Sequence, residues 1–431
     1  MRTFAAAITG ILIMLILLAL ASCNPVQKAS DETTSPTPTP KADTAAKPAA
    51  LPAGEFKIGF NYEETGNAAT FGVSSHKGSE LAIKEINESG SLGQLKLTSV
   101  FEDNESRSEK SAQVASKLIN QDKVDAIIGA VTSSNSIATA RLVEDAGIPM
   151  ISPASTNPAL TLNDNGTVKK WIFRACFTDD FQGDGMVDFA VNGLKAKTAV
   201  VLFDSDNDYS VGIWKRIEQV AKERGLTIVN HDSFLSSSET DFRSKLNKFK
   251  STPFDVLITP IYYNQAALIA KQAREVGIKQ PMLGGDGLDS EDLWKIAGKD
   301  VEESVYFTNH YSPDDPDPIV QNFIAKYKQV NAAVPDALAV LAYDSVYLLV
   351  DAIKRAGSTD KEAIRLALEQ TKGIQCVSGT FDIDAEHDAF KKLVVISIGK
   401  GGTKKMVYAF DPVNPKNSGP VGGWSPTPAK Q

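Results

Sequence analysis

Histidine and cysteine are scarce in this chain, with four and three among 431 residues. His76, His231, His310 and His387 form no HExxH arrangement and no tight pair with ligand spacing, so no zinc signature is present. A G-x-S-x-G elbow, a Walker loop and a GxGxxG run are also missing. Hydrolase, nucleotide and dinucleotide chemistry therefore lack a sequence handle. No basic stripe occurs and the net charge is −8, which argues against nucleic acid as a partner. Gly285-Asp286-Gly287 with Asp289, Glu291 and Asp292 is acidic enough for calcium but lacks EF-hand spacing. It reads as a strand end followed by a helix with acids in its first turn. No nucleophile and base stand in a recognisable pair, so catalysis is not expected, and no cofactor is implied.

The N-terminus carries a clear address. Arg2 is followed by an uncharged run from Phe4 to Leu20, then Leu20-Ala21-Ser22-Cys23. A basic start, an apolar stretch and a small-residue cleavage site describe a secretory signal over residues 1–22. The Cys after Leu-Ala-Ser is similar to a bacterial lipobox, in which that thiol is acylated and becomes the first residue. An uncleaved membrane anchor is the competing reading, although the run is short for a span. Residues 23–54 then hold Pro, Ala, Thr, Lys and Asp with almost no large apolar side chain. Such a segment buries too little surface to offset its ordering entropy and is predicted to be a disordered tether, roughly 30 Å in reach. The Pro- and Gly-rich stretch 412–431 is predicted to be a flexible tail. An exported chain in an oxidising compartment leaves two possibilities for Cys176 and Cys376, one disulfide or two buried thiols.

About 355 residues remain, too many for one core and suited to two domains. Short β-rich runs alternate with amphipathic stretches. Strands are predicted at Phe56–Phe60, Leu97–Phe101, Val124–Gly129 and Met150–Ser152, with helices at Ser75–Asn87, Ser111–Gln121 and Ile137–Asp145 between them. That rhythm implies right-handed βαβ units and a parallel sheet. It restarts at Thr198–Phe203 and continues through Val256–Thr259 and Met282–Gly284 to Val305–Thr308. Three helices without strands follow, near Ile319–Val330, Leu338–Arg355 and Lys361–Gln370, as if the chain had crossed back to the first section. A hairpin, Leu393–Ile398 with Met406–Phe410, ends the folded part. The expected fold is α/β, with two Rossmann-like lobes of parallel sheet.

Open α/β sheets bind ligands at the C-terminal ends of their strands. Three such ends stand out: Thr132-Ser133-Ser134 after Gly129, Ser152-Pro153-Ala154-Ser155-Thr156-Asn157 after Ile151, and Asp286 after Gly285. Hydroxyls and free N–H groups at a helix start suit a carboxylate. Simple N-capping by Ser133 and Thr156 is as open a reading as binding, and Asp286 taken alone reads more readily as a surface acid.

Three stretches carry a family resemblance: Gly66–Ile86 with Phe71-Gly72 and Lys77-Gly78, Gly129–Thr161 with Ile151 to Pro158, and Tyr262–Asp286 with Gln272 to Gly277. Over nearly all of Glu55–Phe410 the chain resembles the branched-chain amino-acid (leucine/isoleucine/valine) type of ABC-transporter solute-binding protein, the type I periplasmic binding proteins. The resemblance implies a Venus-flytrap of two lobes joined by three hinge crossings. Lobe 1 would comprise 55–176 and 309–388, and lobe 2 would comprise 177–308 and 389–411. The hinges would lie near Cys176–Thr178, Thr308–Tyr311 and Ala385–Ala389. It also implies that Ser133 and Thr156 hold an α-carboxylate, helped by N–H groups of both loops around Ser155. The Ala154 carbonyl and Asp286 would hold an α-ammonium, Tyr209 and Tyr262 would close over the ligand, and Phe71 would line its side-chain pocket. Two positions depart from the pattern. Ala337 stands where the family often has an aromatic, and Asp286 is one methylene shorter than the usual Glu. The implied partners are an amino acid or similar polar solute, ABC permease subunits, and a membrane reached through the Cys23 lipid. The implied state is monomeric and extracytoplasmic. The same fold binding an amide, urea or peptide fragment, and an exported enzyme, are the alternatives.

Overall fold

The structure is a computed structural model that describes residues 51–411 and 415–426. The predicted leader, Cys23 and the tether up to residue 50 lie outside the described residues. Among the described residues no helix is long and apolar enough to cross a membrane.

The first sheet comprises β1 (Gly54–Tyr62), β2 (Leu95–Asp103), β3 (Ala126–Gly129), β4 (Met150–Ser152) and β5 (Ile172–Arg174). Its order is β2-β1-β3-β4-β5 and every pair is parallel. The crossovers contain α1 (Ala69–Ser89), α2 (Ser108–Asn120) and α3 (Ser133–Ala146). β3 is buried at all four positions, as a central strand covered on both faces should be.

The chain then enters α4 (Asp179–Asp188) and a second parallel array, β6 (Thr198–Asp204), β7 (Thr227–Phe234), β8 (Val256–Thr259), β9 (Met282–Gly284) and β10 (Val305–Asn309). Helices α5 (Asp208–Val220), α6 (Arg243–Lys250), α7 (Tyr263–Glu275) and α8 (Glu291–Ala297) connect these strands. A second passage leads to α9 (Pro318–Asn331), α10 (Ala337–Ala356) and α11 (Lys361–Glu369). Here α10 packs along α1, which returns the chain to the first sheet. A small antiparallel sheet follows, β11 (Ile374–Cys376), β12 (Gly379–Ile383) and β13 (Ala389–Phe390). A third passage ends in β14 (Leu393–Ile398), β15 (Lys404–Phe410) and β16 (Gly419–Pro420), which extend the second sheet from β10 in antiparallel sense. Two parallel sheets linked by three passages of chain form the predicted α/β architecture.

Several local expectations need correction. α1 begins six residues before the predicted Ser75 because packing overrides the poor helix propensity of its glycines. A Cβ on Gly72 would lie 2.2 Å from the Glu63 carbonyl, and one on Gly78 would lie 2.1 Å from the Ala339 carbonyl, so only glycine lets α1 settle there. The third crossing falls at Lys391–Lys392, after the predicted Ala385–Ala389, because Ala389 and Phe390 are still paired with Ile383 and Asp382. The stretch expected to be a loose tail is docked in part. Gly419 and Pro420 pair with Ala409 and Tyr408, and the Trp424 ring stacks on Phe189 with centroids 5.7 Å apart. Cys176 and Cys376 are both buried free thiols. Burial pushes the Cys176 thiol up to about 12, so it stays protonated and unreactive.

Candidate functional site

The strand ends of the two sheets face each other across a closed cleft. Asn157 Nδ2 donates to the Asp208 carbonyl at 2.7 Å, and Asn264 Nδ2 donates to the Asn67 carbonyl at 2.7 Å. Thr70 Oγ1 and Ser290 Oγ stand 3.1 Å apart, and the Ala337 N–H donates to Asp289 Oδ2 at 2.7 Å. Between these contacts lies a cavity of about 20 Å³, room for one water.

Five of the predicted site residues, Phe71, Ala154, Tyr209, Tyr262 and Asp286, line that cavity together with Val131, Thr132, Gly287 and Leu338. The aromatic rings form one continuous wall. Tyr209 stacks on Tyr262 at 5.1 Å, and Tyr262 meets the edge of Phe71 at 5.3 Å. Burial raises the pKa of both tyrosines, so the wall stays uncharged. Ala337 is buried outside the cavity lining, and the residue that α10 gives the cavity is Leu338.

Asp286 is oriented by its neighbours. Gln182 Nε2 donates to Oδ1 at 2.9 Å and His310 Nε2 lies 2.9 Å from Oδ2. Desolvation lowers the His310 pKa to about 4, which leaves a neutral ring whose Nε2 faces Asp286. That ring stacks on Phe177 at 3.7 Å. Gln182 Oε1 accepts from the Asp286 N–H, from Tyr209 Oη and from Thr308 Oγ1 at 2.9, 3.3 and 3.1 Å. Gln182 thus fixes an acid and an aromatic at once. A Cβ on Gly285 would lie 2.1 Å from Gln182 Oε1 and 2.2 Å from Tyr209 Oη, so a larger residue there would displace the side chains that surround Asp286.

Ser133, Ser155 and Thr156 stand beside the cavity without lining it. Ser133 Oγ accepts from the Asn157 N–H at 3.3 Å and so joins the two hydroxyl loops. The hydroxyls of Ser155 and Thr156 are buried without a hydrogen-bond partner. Such orphans in a native fold call for an explanation, and a ligand's polar group supplies one.

Three functional candidates are absent from the residues that the sequence predicts. Glu63 is fully buried one position beyond β1. Its Oε1 accepts from the Thr132 N–H at 3.0 Å, Thr132 Oγ1 at 2.8 Å and Asn135 Nδ2 at 2.9 Å, and its Oε2 accepts from the Val131 N–H at 3.1 Å. The anion seat at the start of α3 therefore holds the chain's own carboxylate. The expectation that N–H groups of both loops serve a ligand carboxylate is corrected for Val131 and Thr132. Asp179, at the start of α4, is buried with neither carboxylate oxygen hydrogen-bonded. The Thr156 hydroxyl lies beside it without completing a well-directed bond. Burial, with the Asp286 charge adding to it, raises the Asp179 pKa well above the carboxylate range, against a smaller opposing pull from Thr156 and Arg174. Gln182 is the third. The rule that picks Asp286, an acid just past a strand, would have picked Glu63 as well. Among the described residues no group of three or more His, Cys, Asp or Glu side chains could hold a metal ion.

This cleft has known counterparts. A family model described as periplasmic binding protein matches residues 55–403. A Leu/Ile/Val-binding protein homolog from Brucella melitensis is 28% identical over 335 residues, 78% of this chain and 88% of the relative. The crystal structure of a leucine-binding protein from Thermotoga maritima superposes with a TM-score of 0.77 at 35% identity, covering 83% of this chain and 99% of that one. The branched-chain amino acid transporter substrate-binding protein from Streptococcus pneumoniae, solved with isoleucine, gives a TM-score of 0.75 at 33% identity, covering 82% and 99%.

Proposed function

The chain belongs to the periplasmic binding protein family, a family of extracytoplasmic substrate-binding proteins and not of enzymes, and on that premise we propose that it captures a small aliphatic α-amino acid for an ABC importer. The single observation that carries this reading is Asp286, an acid that lines a cavity whose other walls are mostly apolar and aromatic. A zwitterion taken out of water needs both ends paired. Asp286, the Ala154 carbonyl and the unpartnered Asp179 suit the ammonium. The hydroxyls of Ser133 and Thr156, with the adjoining N–H groups of the second loop, suit the carboxylate. Phe71, Val131 and Leu338 suit an aliphatic side chain, which makes leucine, isoleucine and valine the first candidates.

Binding draws the two lobes, 55–176 with 309–390 and 177–308 with 393–411, onto the ligand, and the closed monomer docks on the permease. The lipid on Cys23 and the Pro-rich tether hold the clamp near the membrane.

A melting-temperature screen against free amino acids tests the ligand. A ligand at a thousandfold over its Kd adds ~4 kcal/mol, a shift of several degrees in a protein this size. The reading fails if no amino acid shifts melting while amides, peptides or N-acetylated amino acids do. Asp286→Ala is expected to weaken binding by about 2 kcal/mol or more, roughly thirtyfold in Kd. Labelling of cells with radioactive palmitate, with Cys23→Ala as the control, tests the anchor.

A further inference from the structure

Arg174, the last residue of β5, has a completely buried side chain. Its Nη1 donates to the Ser155 carbonyl at 2.9 Å, and its Nη2 donates to the Asn157 carbonyl and to Thr161 Oγ1, both at 3.0 Å. Its Nε stands 2.6 Å from Asp388 Oδ1, an ion pair and not a well-directed hydrogen bond. Thr161 Oγ1 donates to that same Asp388 oxygen at 3.1 Å.

Thr156 lies between the two carbonyls that Arg174 holds, and its own carbonyl accepts from the Asp179 N–H at 2.8 Å. Three successive carbonyls of this loop are therefore drawn toward the first crossing. Backbone carbonyls must find partners, and this arrangement satisfies them on one side while leaving the Thr156 hydroxyl unpartnered. Asp388 comes from the turn that leads to the third crossing. That turn is joined to β5 by the Arg174 N–H on the His387 carbonyl at 3.1 Å and by His387 Nδ1, 2.9 Å from the Ile172 carbonyl.

A buried ion pair is a poor source of net stability, because desolvation offsets most of its attraction. What a guanidinium does supply is a rigid planar fork that fixes the positions of several acceptors at once. We infer that Arg174 is a positioning residue for the ligand site: anchored by Asp388 and Thr161, it holds the loop Ser152–Asn157 against the first crossing and the approach to the third, so that Thr156 is presented in one geometry. The inference rests on the proposed reading only in taking this loop as ligand-binding.

Two measurements on the full chain test it. The first is hydrogen exchange of the ligand-free protein over residues 152–161, compared with strands β3 and β8. Arg174→Lys keeps the charge and loses the fork. It is expected to speed exchange in 152–161 about tenfold or more with the strands unchanged. Arg216→Lys, which alters the Arg216–Asp184 pair in the second lobe, is expected to leave that loop as in the parent. The second measurement is the leucine Kd by calorimetry, expected to weaken about tenfold or more in Arg174→Lys. A loop that exchanges at the parental rate overturns the inference, as does a loosened loop with an unchanged Kd, or a speed-up shared equally by the strands. If the parent itself does not bind leucine, isoleucine or valine, a selectively loosened loop still supports the positioning role, and the amino-acid assignment alone falls. Thr161→Val, a milder change to the same cluster, keeps the test open if Arg174→Lys does not fold.

Discussion

His310 Nε2 and Asp286 Oδ2 stand 2.9 Å apart in a place where the His310 side chain is 1% exposed. The imidazole is held neutral, with a pKa near 4 against an ordinary 6.5, because burial disfavours its charge more than Asp286 favours it. The unfolded chain therefore takes up this proton first as the pH falls. The contribution to stability is complete above pH 6.5 and is lost between 6.5 and 4, up to about 3 kcal/mol. Glu63 and Asp179, whose folded pKa values are raised, act in the opposite direction, so the parent's total pH profile does not isolate the effect. His310→Gln keeps a donor toward Asp286 and cannot titrate. The melting-temperature advantage of the parent over His310→Gln should shrink from pH 7 to pH 4.5; a constant difference would refute the assignment.

Glu63 makes a second prediction. Four donors converge on its two oxygens, two of them backbone N–H groups of the loop that precedes α3. Glu63→Gln replaces one acceptor oxygen by an NH2 group, which then faces donors. An unmade buried hydrogen bond costs about 1–3 kcal/mol. Melting should fall by that equivalent, and the Kd for the best amino acid of the screen should weaken because Thr132 borders the cavity. Urea unfolding and calorimetry on the same variant separate the two effects. Unchanged stability would show that the loop holds its shape without this carboxylate.

The fold was largely legible because its central strands, β3, β8, β9 and β10, are buried along their whole length and the parallel strands are separated by helices of ordinary length, a pattern that few architectures share. Parts of the site were legible for a related reason: hydroxyls, Gly285 and Asp286 fall at strand ends, where such sheets bind. What stayed hidden acts through distant partners. Gln182 and His310 reach Asp286 across 104 and 24 residues, and no local pattern marks either of them. Glu63 lies just past a strand, where an acid can be picked out, but its partners Val131, Thr132 and Asn135 are 68, 69 and 72 residues away and no local pattern names them. The strands β11 to β13 have two to five residues each, below what alternation can signal.

Trp424 tests whether the docked C-terminal segment contributes to the second lobe. It stacks on Phe189 and meets Tyr306 at 5.8 Å in an edge-on contact, while the Val421 N–H donates to the Val407 carbonyl at 3.0 Å. Full burial of a large aromatic is worth about 3–5 kcal/mol on truncation to Ala, and Trp424 is only half-buried. Trp424→Ala is therefore expected to lower stability by about 2 kcal/mol in chemical unfolding, with ligand affinity unaffected. A loss below about 0.5 kcal/mol would place this residue with ordinary surface substitutions.

Gly72 links stability and binding in one position. It lies where α1 crosses the end of β1, and its Cα points at the Glu63 backbone so closely that a Cβ would sit 2.2 Å from the carbonyl carbon and oxygen. Backbone atoms cannot swing aside as a side-chain end can, so Gly72→Ala must push α1 away from Glu63. Phe71, the next residue, would move with the helix and lose its edge contact with Tyr262. Glu63 would be displaced from the Thr132 and Val131 N–H groups on its other side. Overpacking of this kind costs about 1–3 kcal/mol. Because both the aromatic wall and the first hydroxyl loop shift, the ligand should also bind more weakly to the molecules that remain folded. Gly90, in a left-handed conformation at the end of α1 with nothing within 4 Å of its Cβ position, is the control. Gly90→Ala carries backbone strain and should lower the melting temperature while leaving the Kd as in the parent. If the two alanine variants lower stability alike and neither changes the Kd, the contact between α1 and Glu63 has no part in shaping the site.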